Sequence, residues 1–529
     1  MTEPSPILKA PERARKTVEE LVEKFSRNLE SYLNPAYKED QCRIEFINPF
    51  FESLGWDTAN RQGFAEPYKE VIHEDTLNMA GMTKAPDYSF RVGGARKFFL
   101  EAKKPATNLK IDASPAYQLR RYAWSAKLPL SVLTDFEEFA VYDCRIRPEA
   151  QDKADAARVE YFNYEKYLDR IDWIYNIFSK EAILKGSFDR FIESARGKRG
   201  TSEVDSEFLK EIERWRDTLA KNIALRNPRL DIHPLNDAVQ RTIDRIIFLR
   251  MAEDRGIESY QQLQGIINGQ NIYKRLVELF YQSEDKYNSG LFDFQKDRFT
   301  TSLKIDDKIL QEIIQDLYYP SCPYEFSVLG ADTLGNIYEQ FLGKVIRLTP
   351  SHQAKVEEKP EVKKAGGVYY TPKYIVDYIV QNTVGKLVEG DIHHRVTAFV
   401  PSSGRGEHTE KTENTVSKTP KEISNLKILD PACGSGSFLL GAYQYLLDYH
   451  LKWYSENSPE KKNKEIYQGP RGQWLLTTQE KKRILLNNLF GVDIDPQAVE
   501  VTKLSLLLKV LENRNVSSIL GHSGFAISV

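Results

Sequence analysis

Ile428-Leu429-Asp430-Pro431-Ala432-Cys433-Gly434-Ser435-Gly436-Ser437-Phe438 reads as a short apolar strand, an acidic residue, a glycine-rich turn and the start of an apolar helix. Gly434 and Gly436 place no side-chain bulk at the turn, so a ligand can approach the backbone closely. The helix that follows offers unpaired N–H groups. Further on, Leu489-Phe490-Gly491-Val492-Asp493-Ile494-Asp495-Pro496 repeats the pattern of a strand running into an acid. Asp493 is expected to end a second strand, where a carboxylate can accept both ribose hydroxyls of a nucleoside. The expected fold class is therefore α/β. By itself the turn leaves open a dinucleotide site or an ordinary strand–helix turn.

A second constellation lies near the N-terminus. Pro86-Asp87 precedes a strand, and the Gly93-Gly94 turn leads into another, Lys97-Phe98-Phe99-Leu100-Glu101-Ala102-Lys103. Glu101 and Lys103 are two apart on a strand and share a face, while Ala102 points to the other. The turn folds Asp87 back alongside Glu101. Two converging carboxylates make a hard oxygen site suited to Mg2+. Lys103 can orient a metal-activated water or stabilise charge on phosphorus. Glu-x-Lys is common on solvated strands, but here an apolar run leads directly into Glu101.

Length and composition set the frame. A chain of 529 residues holds about three domains. With 41% hydrophobic and 28% charged residues it is globular in character. The formal net charge of -2 means that nucleic-acid binding must use local basic patches. Cys42, Cys144, Cys322 and Cys433 form no C-x-x-C pair, which argues against a zinc site or a disulfide framework and fits a reducing, cytoplasmic setting. No run reaches membrane-spanning length, so no membrane is expected as a partner.

Residues from 12 to about 60 read as helical. Short β-rich runs follow from Tyr88 to Val92, Lys97 to Ala102, Leu130 to Thr134 and Phe139 to Asp143, split by the glycine turn and one helix, Pro115 to Ala126. Residues 160–345 carry apolar side chains every three or four positions and predict an all-α connector. Residues 350–365 read as an exposed linker, 401–424 as a polar insertion, and 452–470 as a surface loop.

Three features in order resemble the gamma-class N6-adenine DNA methyltransferases. Gly367-Val368-Tyr369-Tyr370-Thr371-Pro372 resembles motif X, Asp430 to Phe438 resembles motif I, and Asp493 resembles the ribose-binding acid of motif II. The resemblance implies a Rossmann-like fold that holds S-adenosyl-L-methionine (SAM) with Tyr370, Thr371, Pro372, Asp430, Ala432, Gly434, Gly436, Phe438, Asp493 and Ile494. The N-terminal region resembles the PD-(D/E)xK nucleases. That implies Asp87, Glu101, Lys103 and Gln118 as catalytic residues, with Asp87, Glu101 and Glu45 on Mg2+. Arg120 and Arg121, beside Gln118, read either as phosphate contacts or as exposed helix charges.

The segments Arg245 to Arg255 and Leu334 to Gly343 resemble the connector of fused restriction–modification proteins. The whole is similar to the N-terminal part of a Type IIG-like polypeptide. The expected division is an endonuclease-like domain over 1–160, a helical connector over 161–348, and the first part of an adenine-specific DNA methyltransferase over 349–529. Double-stranded DNA is the implied substrate of both sites.

The family holds the flipped adenine with an Asn/Asp-Pro-Pro-aromatic loop. No such loop stands among residues 494–529, and Asn34-Pro35-Ala36-Tyr37 and Asn48-Pro49-Phe50 lie upstream. The methyltransferase part is therefore expected to be truncated here. A second polypeptide that supplies the rest, with a target-recognition domain, is an expected partner. The rival readings are a non-catalytic SAM- or DNA-binding scaffold and a SAM-dependent methyltransferase acting on another acceptor.

Overall fold

The glycine turn organises the first sheet. In the computed structural model, which describes residues 8–64, 69–73, 86–194, 203–287, 290–329, 343–359, 371–389, 418–469 and 474–512, six strands lie side by side in chain order. They are β1 (Val71–His73), β2 (Tyr88–Val92), β3 (Ala95–Ala102), β4 (Leu130–Thr134), β5 (Glu138–Asp143) and β6 (Arg158–Asn163). Gly93 and Gly94 hold φ of 57° and 80°, the left-handed backbone that a two-residue hairpin requires. Neighbours are antiparallel except β3 and β4, which run parallel. A parallel pair needs a crossover, and helix Ala113–Ser125 supplies it.

Alternation along β3 sends side chains into two cores. Phe98, Leu100 and Ala102 join Phe90, Val132 and Val141 under the N-terminal helices, with Phe25, Phe46, Phe50 and Trp56. Phe99 joins Leu133, Ala140, Leu119 and Ala123 beneath the crossover helix. Both faces are covered, so Phe98 to Ala102 is buried without interruption. That is why the sequence shows an apolar run leading into Glu101 rather than a half-polar strand.

Two compact units divide the chain. The first comprises Met1–Thr218, Ile246–Leu276 and Ile305–Gly330; the second comprises Leu219–Arg245, Val277–Lys304 and Ala331–Val529. Within the first, Arg250 donates to Asp254 at 2.6 Å and to the Leu317 carbonyl at 2.9 Å. Within the second, Arg245 donates to Asp297 at 2.6 Å, Thr300 at 3.0 Å and the Leu291 carbonyl at 2.8 Å. These arginines of the connector segment are buried and hydrogen-bonded. Breaking such a pair leaves an uncompensated charge.

The second unit holds a parallel pair, β9 (Ile428–Asp430) and β12 (Leu489–Gly491), with helix Ser437–Glu456 packed on one side. Gly491 permits that packing, since a Cβ there would stand 2.7 Å from Leu439 Cδ1. Leu429, Phe490, Val492 and Ile494 are exposed. The unit also contains hairpins β7 (Lys344–Leu348) with β8 (Ala354–Glu358), and β10 (Ile466–Gln468) with β11 (Trp474–Leu476).

Several expectations change. The segment 350–365 is not a plain linker: its first part holds β8, the second strand of the β7–β8 hairpin, and Asn236 anchors the first strand by exchanging two hydrogen bonds of 2.9 Å with the Ile346 backbone. The segment 452–470 is not a single loop. The helix runs on to Glu456 because Tyr454 is buried and bonded to Glu480, and β10 buries Ile466. Of the 401–424 insertion, Pro420–Ile423 is a capped helical turn that buries Ile423, and residues 401–417 lie outside the described residues. Leu334 to Leu342 also lie outside them. β1 and β6 were not anticipated. All four cysteines are free and buried, and no helix among the described residues is long and apolar enough to cross a membrane.

Phe98 stacks on Phe90 with centroids 4.4 Å apart and lies at the centre of the first core. Phe98→Ala is expected to cost about 3–5 kcal/mol, read as a fall in the urea midpoint of the full chain. A loss below about 1 kcal/mol would remove Phe98 from the core.

Candidate functional site

Asp87 stands one residue before β2, and Glu101 is the penultimate residue of β3. The antiparallel register sets Tyr88 opposite Leu100, which brings Asp87 to the end of β3. There Asp87 Oδ2 accepts the Ala102 N–H at 2.7 Å. Glu101 Oε1 accepts from Lys103 Nζ at 2.7 Å and from Gln118 Nε2 at 3.0 Å. Gln118 reaches it from the crossover helix, on the face that also buries Leu119 and Tyr122. Lys103 donates in addition to the Ala102 carbonyl at 2.9 Å. Asp87, Glu101, Lys103 and Gln118, four residues expected from the sequence, are thus joined by hydrogen bonds around one strand end.

Glu45 goes elsewhere. It pairs with Lys24 at 2.9 Å and accepts from the Tyr37 hydroxyl at 3.4 Å. The early-helix acid beside the cluster is Glu39, whose carboxylate lies 3.9 Å from Lys103 Nζ. Arg43, four residues on, places its guanidinium 3.5 Å from Asp87 Oδ1. Sequence reasoning missed both. The available signal was spacing: Glu39 precedes the buried Cys42 and Arg43 by one helical turn, on the face leading to Phe46 and Phe50. Neither arginine after Gln118 is a free phosphate contact. Arg120 is buried and paired with Asp152 at 2.6 Å, and Arg121 donates to the Tyr324 carbonyl at 2.9 Å.

The electrostatics follow from burial. Glu101 is 2% exposed, and its Oε2 is buried with no hydrogen-bond partner. Burial, and then the negative charge of Asp87, push its carboxyl up to about 8. Burial first, then Asp87, also raise Glu39. Burial alone lowers Lys103, but Glu101, Asp87 and Glu39 outweigh it and hold the ammonium charged. An orphaned carboxylate oxygen beside a second carboxylate fits a hard cation. Among the described residues no group of three or more His, Cys, Asp or Glu side chains is arranged for a metal, so Asp87 and Glu101 would hold it with water. That suits Mg2+, which keeps several waters.

The second unit carries the glycine turn. Gly434 holds φ of 53°, and a Cβ there would meet nothing within 4 Å, so the turn faces open space. Gly436 differs: at φ of 88° its Cβ would stand 2.8 Å from Thr502 Cγ2. Gly436 therefore serves close packing against helix Pro496–Leu511. Asp493 lies two residues past β12. Its Oδ2 accepts the Gly434 N–H at 2.9 Å and its Oδ1 the Asp495 N–H at 2.8 Å. Those bonds aim the carboxylate at the turn.

Asp430 Oδ1 accepts the Ala432 N–H at 3.1 Å. Ala432 and Ile494 are exposed, and Phe438 is half-buried on the first helical turn. Pro372 precedes helix Lys373–Val380, which lies against helix Ser437–Glu456 at Gly441, where a Cβ would stand 2.6 Å from Val376 Cγ1. Thr371 is half-buried, and Tyr370 lies outside the described residues. The open space at Gly434 and the fixed Asp493 carboxylate fit a nucleoside-bearing ligand such as SAM.

Residues 406–519 match the family model described as MmeI, DNA-methyltransferase domain. Over 504 residues, 95% of this chain, it is 34% identical to the type II restriction enzyme and methyltransferase RM.Eco57I of Escherichia coli. The chain is a relative of type II restriction–modification polypeptides. It spans 47% of RM.Eco57I, about half the length of that curated relative. It is also 26% identical over 207 residues to the adenine-specific methyltransferase BrxX of Escherichia coli O9:H4 (strain HS), with 38% of this chain and 15% of that protein covered. A solved structure described as a DrdV–DNA complex matches 94% of this chain and 39% of its own, at 14% identity and a TM-score of 0.31.

Glu101 generates a pH prediction for this restriction–modification relative. Its folded pKa is raised, so the stability it contributes is present below the unfolded carboxyl range and is lost as pH rises toward 8. In EDTA, Glu101→Gln is therefore expected to melt higher than wild type, by more at pH 8 than at pH 5. Equal melting curves across that range would show that Glu101 titrates as a solvated carboxylate.

Proposed function

We propose that the first unit hydrolyses DNA phosphodiesters with Mg2+, and that the second binds SAM as part of an N6-adenine DNA methyltransferase. These are the two activities that a restriction–modification enzyme couples. The observation that carries the nuclease half is the convergence of Asp87, Glu101, Lys103 and Gln118 at the end of β3. Mg2+ on Asp87 and Glu101 would lower the pKa of a bound water and offset charge on the phosphate. Lys103 keeps its proton through the three carboxylates around it, which equips it to hold a phosphate oxygen or the attacking water. Gln118 fixes the Glu101 carboxylate in place.

The methyltransferase half is supported by Asp493 clamped to the Gly434 turn and by the likeness of residues 406–519 to a methyltransferase family model. Asp493 would accept the ribose hydroxyls of SAM, and the exposed Ile494 would cover its adenine. Bound SAM supplies the transferable methyl group. The Asn-Pro-Pro-aromatic clamp that frees the lone pair of the adenine nitrogen stands nowhere in the 529 residues. These residues by themselves hold the donor but do not align the acceptor. A part that carries such a clamp, on this or on a second polypeptide, would complete the transfer, and the cytoplasm is its setting. The division at residues 160 and 348 belongs to the same proposal.

Plasmid nicking tests the first half. Asp87→Ala is expected to fall to background, and Lys103→Ala to lose turnover while keeping Mg2+ affinity. Equal nicking by wild type and Asp87→Ala would remove the assignment.

Calorimetry tests the second half. SAM is expected to bind the wild-type chain, and Asp493→Ala to lose binding by about tenfold or more. Tighter binding of NAD than of SAM would overturn the methyltransferase reading.

A further inference from the structure

Arg43 lies at the nuclease cluster without a part in the chemistry just described. It is 9% exposed, and its guanidinium stacks over the Tyr88 ring at 4.9 Å. Its Nε points to the Tyr88 hydroxyl at 3.4 Å, and that hydroxyl donates to Asn48 Oδ1 at 2.8 Å. The arginine is therefore held on a rigid aromatic platform. Its NH1 faces Asp87 Oδ1 at 3.5 Å and Asp40 Oδ1 at 3.7 Å.

The oxygens around the cluster are unevenly engaged. Asp87 Oδ2 takes the Ala102 N–H, and Glu101 Oε1 takes Lys103 and Gln118. A cation shared by the two carboxylates would use Glu101 Oε2, which is buried and unbonded, and Asp87 Oδ1. That second oxygen is the one Arg43 faces. A guanidinium and a divalent cation beside one carboxylate oxygen repel each other in a site with little water. The scissile phosphate must come to the cation, and so comes within reach of the same guanidinium. Arginine suits that exchange, because its fork fits carboxylate and phosphate alike.

We propose that Arg43 is a positioning residue that couples metal binding to DNA binding. Without DNA it serves as the counter-ion of Asp87 and weakens the hold on Mg2+. With DNA it turns to the phosphodiester and leaves Asp87 to the metal. The inference rests on the nuclease reading above and adds a regulation to that site. The ion would then be held firmly only where a phosphodiester is present.

The test is calorimetric titration of Mg2+ into the full, DNA-free chain for wild type, Arg43→Met and Arg43→Lys, with thermal melts as a check on folding. Arg43→Met is expected to bind Mg2+ about tenfold more tightly than wild type. Arg43→Lys, which keeps the charge, is expected to stay near wild type. A merely structural arginine predicts the opposite direction, since a loosened site binds metal less well. In a second arm, fluorescence anisotropy follows a labelled duplex of mixed sequence at low salt with and without Ca2+, a hard cation of the same ligand preference. Ca2+ is expected to tighten duplex binding by wild type, and to do so less in Arg43→Met. This arm needs no variant to show coupling, because metal and DNA must raise each other's affinity by the same factor. Unchanged or weaker Mg2+ binding by a folded Arg43→Met, or no effect of Ca2+ on duplex binding by wild type, overturns the proposal. If wild type binds no divalent ion at all, the nuclease reading falls with it; binding without coupling removes only the role of Arg43.

Discussion

The hydrogen bond from the Ala102 N–H to Asp87 Oδ2 ties together the strand pairing and the chemistry of the first unit. It forms only if the Gly93-Gly94 turn is tight and the β2–β3 register is correct. A slip of one residue would turn Glu101 into the core under the N-terminal helices and Ala102 toward the crossover helix. The aromatic packing on both faces of β3 prevents that slip. Phe98 and Phe99 cannot exchange places without exchanging two different cores. The cluster is thus a consequence of sheet register.

Burial makes that cluster strained in charge. Three carboxylates and two cations share a volume with little water, and one oxygen of Glu101 is left unbonded. Such a group costs stability unless something positive reaches it. The protein surrounds it with Lys103, Gln118 and, on the Asp87 side, Arg43 rather than filling the space with apolar atoms. A metal held at this cluster would therefore be linked to fold stability through the same few side chains.

The glycines of the second unit show two physical roles that look alike in a sequence. Gly434 borders open space, and its N–H fixes Asp493. Gly436, Gly441 and Gly491 instead make room for Thr502, Val376 and Leu439. Both roles favour small residues, but only the first leaves open space beside the turn. Likeness to RM.Eco57I runs through both units.

Local pattern alone determined a good deal here. The strands β2 to β5 and the crossover helix were legible because apolar period and glycine turns are properties of neighbouring residues. So were the meeting of Asp87, Glu101 and Lys103 at one strand end and the strand–turn–helix around Asp430, whereas Gln118 came only through the resemblance to the PD-(D/E)xK nucleases. Tertiary structure decided the rest. Glu39, not Glu45, stands beside the cluster: Glu39 opens the turn Glu39–Cys42 and reaches Lys103, whereas Glu45 lies in the π-helical turn Arg43–Ile47 and pairs with Lys24. Arg120 and Arg121 read either as phosphate contacts or as exposed helix charges, and the structure instead pairs them with Asp152 and the Tyr324 carbonyl, both distant in sequence. The β7–β8 hairpin was hidden in a charged stretch because its anchor, Asn236, lies more than a hundred positions away. Which oxygen of Asp87 faces an arginine is invisible to any reading of neighbours, since the distance between two charges is set by how separate elements pack.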